Sequence, residues 1–421
     1  MLGAGFLFAT GQTETPQSTE PVEIEIAYPV AVDAPITSIL QKYIDQFEAE
    51  YPNVTVTPIY SGGYTDVKVA MQTAIDGGGK APALAVMLAT DLYDLVNAEY
   101  IDKIDDLVKA MPNSDAYIDD FLPAFMENSY YDDHLYSLPF QRSAVVLYYN
   151  ADLFKAKGIA LPTDWDSFAK AAAKLTVREN GQVTRWGLEY PSGWPYWLFQ
   201  PLAIGNGQNI VGDETTVHFN TPKVVEAVQF YIDLSHVYGA MPEGVQAAWG
   251  TCTGNFAAGK TAMIVHSSGS LTNLLKSSSF TVGVMGIPGT VKDYASVPGG
   301  GNIYITAGLS DAERQAAFDF AVFLTDPERE SEFSQATGYI VPRFSAAETQ
   351  GMQNYFKAVP QAKVAMDTLQ YAEKELSIQN LGEVRSIFHK YLQSAFNGEM
   401  SAQEAMDTAQ KLADKALEDF R

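Results

Sequence analysis

The residues of this chain that could do chemistry are mainly hydroxyls, aromatics and arginines set beside glycines. In HSSGSLTNLL, beginning at His266, an apolar run gives way to Ser267, Ser268 and Gly269 before a helical pattern from Ser270. Two hydroxyls, a glycine and the free N–H groups of a helix start can hold an anion or a hydroxyl. The same residues can equally serve as a plain serine N-cap. In SGWPYWLF, Trp194 and Trp197 follow a strand in a turn-prone context. Tryptophans there suit stacking on the C–H face of a sugar or polyol, or over a cation, and core packing is the competing use. PFQRSAVVLYYN sets Arg142 and Ser143 just before an apolar run. A guanidinium there can grip an anion through two parallel hydrogen bonds or make a surface ion pair. Arg385, in NLGEVRSIF, stands near the start of a helix. A cation there opposes the helix dipole unless an anion or a carboxylate offsets it.

Two glycine patterns carry less. GNFAAGKT, Gly254 to Thr261, matches the phosphate-loop pattern G-x4-G-K-T letter for letter. That loop needs a strand before it and a helix after it. Here a helical stretch precedes and the strand TAMIVHSS follows, so a helix end at Gly259 is expected instead. The run Gly299 to Gly301 marks close backbone approach at a strand start rather than a phosphate cradle.

The elements that must position these residues alternate between strand and helix. VEIEIAYPV alternates apolar and charged residues at period two, ITSILQKYIDQFEAEYP has apolar residues at helical spacing, and NVTVTPIY returns to strand. YTDVKVAMQTAIDGGGKAP is helical, ALAVMLAT is a strand, and DLYDLVNAEYIDKIDDLVK is helical. A second unit starts near Ala144 to Asn150. It continues with DWDSFAKAAAKLTV as helix, TRWGLEYP as strand, and helices in KVVEAVQFYIDLSHVYG and around Val245 to Ala258. TAMIVHSS, FTVGVMGIP and GGGNIYIT are strands; DAERQAAFDFAVFLTDPERESEFSQATG gives two helices, and long helices run from Gln353 to Arg421. This alternation predicts open α/β sheets with helical crossovers.

Composition narrows the function. Net charge is −24 over 421 residues, so nucleic acid and anionic lipid are not expected partners, and an anion site must be built from local donors. The single cysteine, Cys252, excludes an internal disulfide and a multi-cysteine metal site, and the five histidines include no pair at helical zinc spacing. No metal or cofactor is expected. There is no G-x-S-x-G elbow and no H-E-x-x-H pair. The start, MLGAGFLFATGQTETPQSTEP, combines a short apolar stretch with a Gln/Thr/Ser/Pro tether, which suggests a signal remnant and linker over residues 1–21. No lipid-accepting cysteine lies there, so a lipid anchor is not supported, and no later apolar run is long enough to span a membrane.

Taken in order, GGYTD with its helix, LPFQRSAVVLYYN, SGW after a strand, FAAGKTAMIVHSSGSL, TGYIVPR and NLGEVRSIFHKYLQSAFNGEMSAQEAMDTA resemble the extracellular solute-binding proteins of the maltose-binding class. Within that class the likeness is greatest to the glycerol-3-phosphate-binding proteins of bacterial ABC importers, from about Ile24 to the C-terminus. The resemblance implies a two-lobed α/β periplasmic-binding fold (type II). One lobe would combine residues 22–142 with 297–340, the other 143–296 with 341–421. It also implies hinge closure, a periplasmic or other extracytoplasmic location, a monomer, a small-molecule ligand and permease partners. Carried over residue by residue, phosphate contacts fall on Tyr64, Ser143, Ser268, Tyr339 and Arg385, the aromatic against glycerol on Trp194, and a backbone contact on Gly300. Where the family has a glutamate for the glycerol hydroxyls, this chain has Ala89, with Asp91 close by; Arg142 is a second departure and adds positive charge. Trp197, Ser267 and Gly269 complete the expected ligand-binding set. The function implied is capture of glycerol 3-phosphate or a glycerophosphodiester. A neutral mono- or oligosaccharide on the same fold is the alternative, and a polysaccharide hydrolase or lyase is a remote one.

Overall fold

The computed structural model describes residues 20–421, so the expected signal remnant and linker lies, through residue 19, outside the described residues. Strand Val22–Tyr28 pairs in parallel with Val54–Tyr60 and with Leu84–Leu88. Helices Ile36–Glu50 and Tyr64–Asp76 make the two crossovers. Ile36, Leu40, Tyr43, Ile44 and Phe47 recur at helical spacing and are all buried. Phe47 alone, fully buried, contributes about 2–3 kcal/mol of apolar transfer energy.

The organising element is the strand Ser137–Asn150. Its first half pairs antiparallel with Pro298–Ile305, which in turn pairs antiparallel with Leu84–Leu88. Its second half pairs with Met263–Ser267 and with Val282–Met285. One continuous strand thus belongs to two sheet regions and carries the chain between them. Two large apolar clusters flank that division. One includes Ile26, Phe47, Leu84, Phe140, Ile303 and Tyr339; the other includes Val145, Leu147, Phe199, Phe219, Phe388 and Met406. Trp194, partly buried, packs against both.

Several expected elements are corrected. TRWGLEYP is not a strand of the main sheet. Gln182–Arg185 closes a hairpin with Val177–Glu179 through Asn180–Gly181, both at positive φ, the Asn-Gly turn that matches strand twist. Beyond it, Trp186 and Glu189 make only isolated bridges, to Thr261 and Ile264. The helix expected across Asp91 to Lys109 is broken into Leu92–Asn97 and Asp105–Ala110, with Glu99 left-handed between them. The helix around Val245 begins only at Trp249. The C-terminal stretch divides into Gln350–Ala358, Pro360–Asp367, Leu381–Phe396 and Ala402–Ala416. Pro360 and the left-handed Asn380 interrupt it, leaving residues 372–380 irregular. At the phosphate-loop look-alike, helix Trp249–Ala257 ends with Gly259 at φ +70° before strand Met263–Ser267. Among the described residues no helix is long and apolar enough to cross a membrane.

Candidate ligand-binding site

Where the long strand passes from one sheet region to the other, it borders a cavity of about 280 Å³. Six aromatics stand in its wall: Tyr64, Trp194, Tyr196, Trp197, Trp249 and Tyr339. They come from several elements: Tyr64 from helix Tyr64–Asp76, Trp194, Tyr196 and Trp197 from the N-cap and first turn of helix Pro195–Gly205, and Trp249 from helix Trp249–Ala257. Tyr64 is the first residue of its helix, capped by Gly63, whose N–H donates to Asp66 Oδ2 at 2.7 Å. Its hydroxyl lies 3.1 Å from Gln141 Oε1 and 3.2 Å from the Tyr339 hydroxyl. Burial drives the Tyr64 phenol well above its ordinary value and Tyr339 to about 12, so both act as neutral hydrogen-bonding groups. Trp197 donates Nε1–H to Pro298 O at 2.9 Å and stacks near Trp249, ring centroids 6.4 Å apart.

The glycine run makes this packing possible. A Cβ on Gly299 would lie 2.4 Å from the Trp197 ring, one on Gly301 2.6 Å from the Tyr64 ring, and one on Gly300 2.0 Å from Gln141 O. Gly300 is also left-handed, at φ +91°. The expected close backbone approach is therefore real: it seats two aromatic rings beside the long strand.

Trp194 holds φ +57° at the N-cap of helix Pro195–Gly205, an unusual conformation for a bulky side chain. Its ring is covered by Arg385, whose guanidinium carbon lies 5.2 Å from the ring centroid. One turn beyond Arg385 on helix Leu381–Phe396, His389 accepts from the Tyr196 backbone N–H at 3.3 Å and stacks on the Tyr196 ring. Residues four apart on one helix face thus fix two wall aromatics. Burial, reinforced by the Arg385 charge, lowers His389 to about 3, so it is neutral. Arg385 Nη1 is buried and has no hydrogen-bond partner among the described residues.

Of the expected site residues, Tyr64, Ser143, Trp194, Trp197, Ser267, Gly300 and Tyr339 line the cavity together. The remaining ones do not line it. Ser268 is fully buried and its Oγ accepts from Ala144 N–H at 3.0 Å, tying the long strand to the turn after Met263–Ser267. Gly269 donates its N–H to Ser267 Oγ at 3.1 Å and abuts Tyr339. Ala89 is fully buried, and Asp91 is paired with Lys68 at 2.9 Å. Arg142 is corrected on one expected use, the surface ion pair: it is fully buried, and among the described residues no carboxylate comes within ion-pair distance. Its Nη1–H donates to Asn302 Oδ1 at 3.0 Å, its guanidinium lies 4.8 Å from the Phe125 ring centroid, and Nε and Nη2 have no partner among the described residues.

Seven wall residues were absent from the expected set, three of them with aromatic or ionisable side chains: Tyr196, Trp249 and Glu375. Tyr196 stands inside the turn-prone SGWPYWLF, and Trp249 inside the helical stretch around Val245 to Ala258. Glu375 comes from the irregular segment 372–380 and has no periodic signal at all. It is 3% exposed, and its Oε1 accepts from the Tyr196 hydroxyl at 3.0 Å. Burial lifts its carboxyl to about 8, against the opposing pull of Arg142, Tyr196 and Arg385.

The wall therefore offers flat apolar faces, hydroxyls, backbone groups of a glycine strand, one carboxyl and a cation behind Trp194. These are recognition groups. Among the described residues no cluster of His, Cys, Asp and Glu is arranged to hold a metal.

The model of bacterial extracellular solute-binding proteins matches residues 42–361. The chain belongs to that family. This solute-binding protein is 28% identical over 409 residues to the sn-glycerol-3-phosphate-binding periplasmic protein UgpB of Pectobacterium atrosepticum, covering 89% of this chain and 87% of that one. It is 27% identical over 409 residues to UgpB of Escherichia coli K12, covering 89% and 88%. Among solved structures it is similar to UgpB of Mycobacterium tuberculosis in complex with glycerophosphocholine, with TM-score 0.83 and 21% identity over 96% of this chain and all of that one. It is also similar to the maltose/maltodextrin-binding domain MalE of Bdellovibrio bacteriovorus bound to maltotriose, with TM-score 0.80 and 20% identity over 94% and 100%. These likenesses establish the two-lobed type II periplasmic-binding fold.

Proposed function

We propose that this solute-binding protein captures a phosphorylated glycerol compound, glycerol 3-phosphate or a glycerophosphodiester, and delivers it to the permease of a bacterial ABC importer. Capture is by closure of two lobes, residues 22–142 with 297–340 and 143–296 with 341–421, and involves no catalysis. The protein acts as a monomer, and its charge of −24 disfavours nucleic acid as a partner.

The observation that carries this reading is Arg385. Its guanidinium stacks on the wall aromatic Trp194, which itself packs against both apolar clusters, and its Nη1 is an unspent donor. A cation so placed suits the phosphate, while the flat aromatic faces suit the glycerol carbons. The names of the relatives at 27–28% identity support the same ligand class. Closure excludes water, which strengthens each charge contact; a pair at 4 Å rises from about 1 kcal/mol in water to about 4 kcal/mol near a protein surface. Arg385→Ala is expected to weaken glycerol 3-phosphate binding by about tenfold to a hundredfold, read by titration calorimetry. Unchanged affinity would remove Arg385 from the reading.

A second reading is a neutral mono- or oligosaccharide, favoured by the row Trp194, Trp197 and Trp249. Thermal-shift screening separates them: stabilisation by maltose-type sugars without stabilisation by glycerol phosphates would decide for the sugar.

A further inference from the structure

The ligand-binding reading leaves one buried group of the cavity wall without a task. Glu375 is the only carboxylate among the described residues that line the cavity. It is almost fully buried, yet Oε2 has no hydrogen-bond partner among the described residues, while Oε1 is held by the Tyr196 hydroxyl. A carboxyl group has acceptor capacity for several donors, and leaving part of it buried and unmatched is costly. The neighbouring hydroxyls are engaged elsewhere: Tyr64 and Tyr339 lie against each other and Gln141. In the turn Leu88 to Asp91, Ala89 has only a methyl group, and Asp91 does not line the cavity and is held by Lys68.

We propose that Glu375 is a specificity-determining residue of this pocket: its free carboxyl oxygen accepts a hydrogen bond from a hydroxyl or ammonium donor of the ligand, supplying from the 372–380 segment the acid that the rest of the described cavity wall lacks. Tyr196 aims the carboxyl, and His389 aims Tyr196 through its backbone N–H and its ring. The charged and titratable groups acting on Glu375 are Arg142 on the long strand, Tyr196 and Arg385 on two helices, and Asp91 at the end of the Leu88–Asp91 turn. The pocket therefore takes ligands with a donor, and the donor is read separately from the phosphate. This rests on the cavity being the ligand site of the function proposed above, but not on the ligand being a phosphate.

The test is titration calorimetry of wild type and Glu375→Gln with glycerol 3-phosphate, glycerophosphocholine, glycerophosphoethanolamine and maltose. The variant keeps the shape but exchanges an acceptor for an amide that can turn its NH2 to the cavity. Whichever ligand the wild type holds is expected to bind E375Q at least about tenfold more weakly. If the wild type binds a glycerol phosphate and E375Q binds it equally well, this proposal falls and the glycerol phosphate reading stands. If only maltose binds and E375Q weakens it, the reverse holds. A wild type that binds none of the four overturns both. Should E375Q fail to fold, the wild type decides alone. Binding of a non-titrating ligand, glycerophosphocholine or maltose, in two buffers of different ionisation enthalpy near about pH 8 is expected to release a measurable fraction of a proton, because a donor at Oε2 favours the charged carboxylate. No proton release overturns the role.

Discussion

At the residue scale the cavity is governed by groups whose burial sets their charge. Glu375 titrates at about 8 in the folded protein, against an ordinary 4.5, because burial outweighs the pull of Arg142, Tyr196 and Arg385. Between those values the folded chain keeps a proton that the unfolded chain has released. The stability associated with the neutral carboxyl is therefore complete below about 4.5 and declines as pH rises through about 8, by up to about 1.4 kcal/mol per unit. Glu375→Gln removes that decline. Calorimetric melting of ligand-free protein should show E375Q gaining on the wild type by several degrees between about pH 5 and about pH 8.5. Glu330, also buried and raised, contributes equally to both proteins and cancels in the difference. A difference that does not change with pH would mean that Glu375 is charged in the fold. The wall residues legible in the sequence itself are those beside a punctuating signal: Trp194 before a proline, Ser267 at a strand end, Gly300 in a glycine run; Tyr64 and Tyr339 are reached only through the family resemblance. Glu375 has no such signal, since an irregular segment places its side chains by tertiary contacts alone.

At the element scale the site depends on how closely two strands approach. Gly300 faces the backbone of Gln141, and a methyl group there would sit 2.0 Å from the carbonyl oxygen at a φ of +91°. Gly300→Ala must therefore shift the Pro298–Ile305 strand against Ser137–Asn150, at a cost of about 2–4 kcal/mol. The urea midpoint should fall with little change in slope, and ligand affinity should fall with it, because Trp197 and Tyr64 lean on the adjoining glycines. A midpoint within error of the wild type would show that the strands have slack. The alternation of Val22–Tyr28 and the helical spacing of Ile36–Glu50 were readable because each has one buried face. The long strand was read only from Ala144 onwards. Its first half, Ser137 to Ser143, is buried on both faces, so it has no alternation, and Pro139 argues against a central strand. What was hidden is the half that joins the two sheet regions.

At the scale of the whole molecule two fields act on an approaching anion in opposite directions. The chain carries −24, and at low ionic strength that charge repels an anionic ligand over tens of ångströms. Arg385 attracts it only at short range from beside Trp194. Added salt shortens the reach of the first, with a Debye length of about 30 Å at 0.01 M and about 8 Å at 0.15 M, and leaves contacts inside a closed cavity little affected. Association of glycerol 3-phosphate should therefore speed up by about two- to fivefold between those ionic strengths, with dissociation nearly constant. This is the reverse of a protein that steers its ligand electrostatically. Trp194, Trp197 and Trp249 on the cavity wall give the fluorescence signal for stopped-flow mixing. Zwitterionic glycerophosphocholine, with no net charge to repel, should associate at a rate almost independent of salt. If glycerol 3-phosphate instead slows as salt rises, the local arginines dominate the approach as well as the grip, and the acidic surface lies out of range of the cavity mouth.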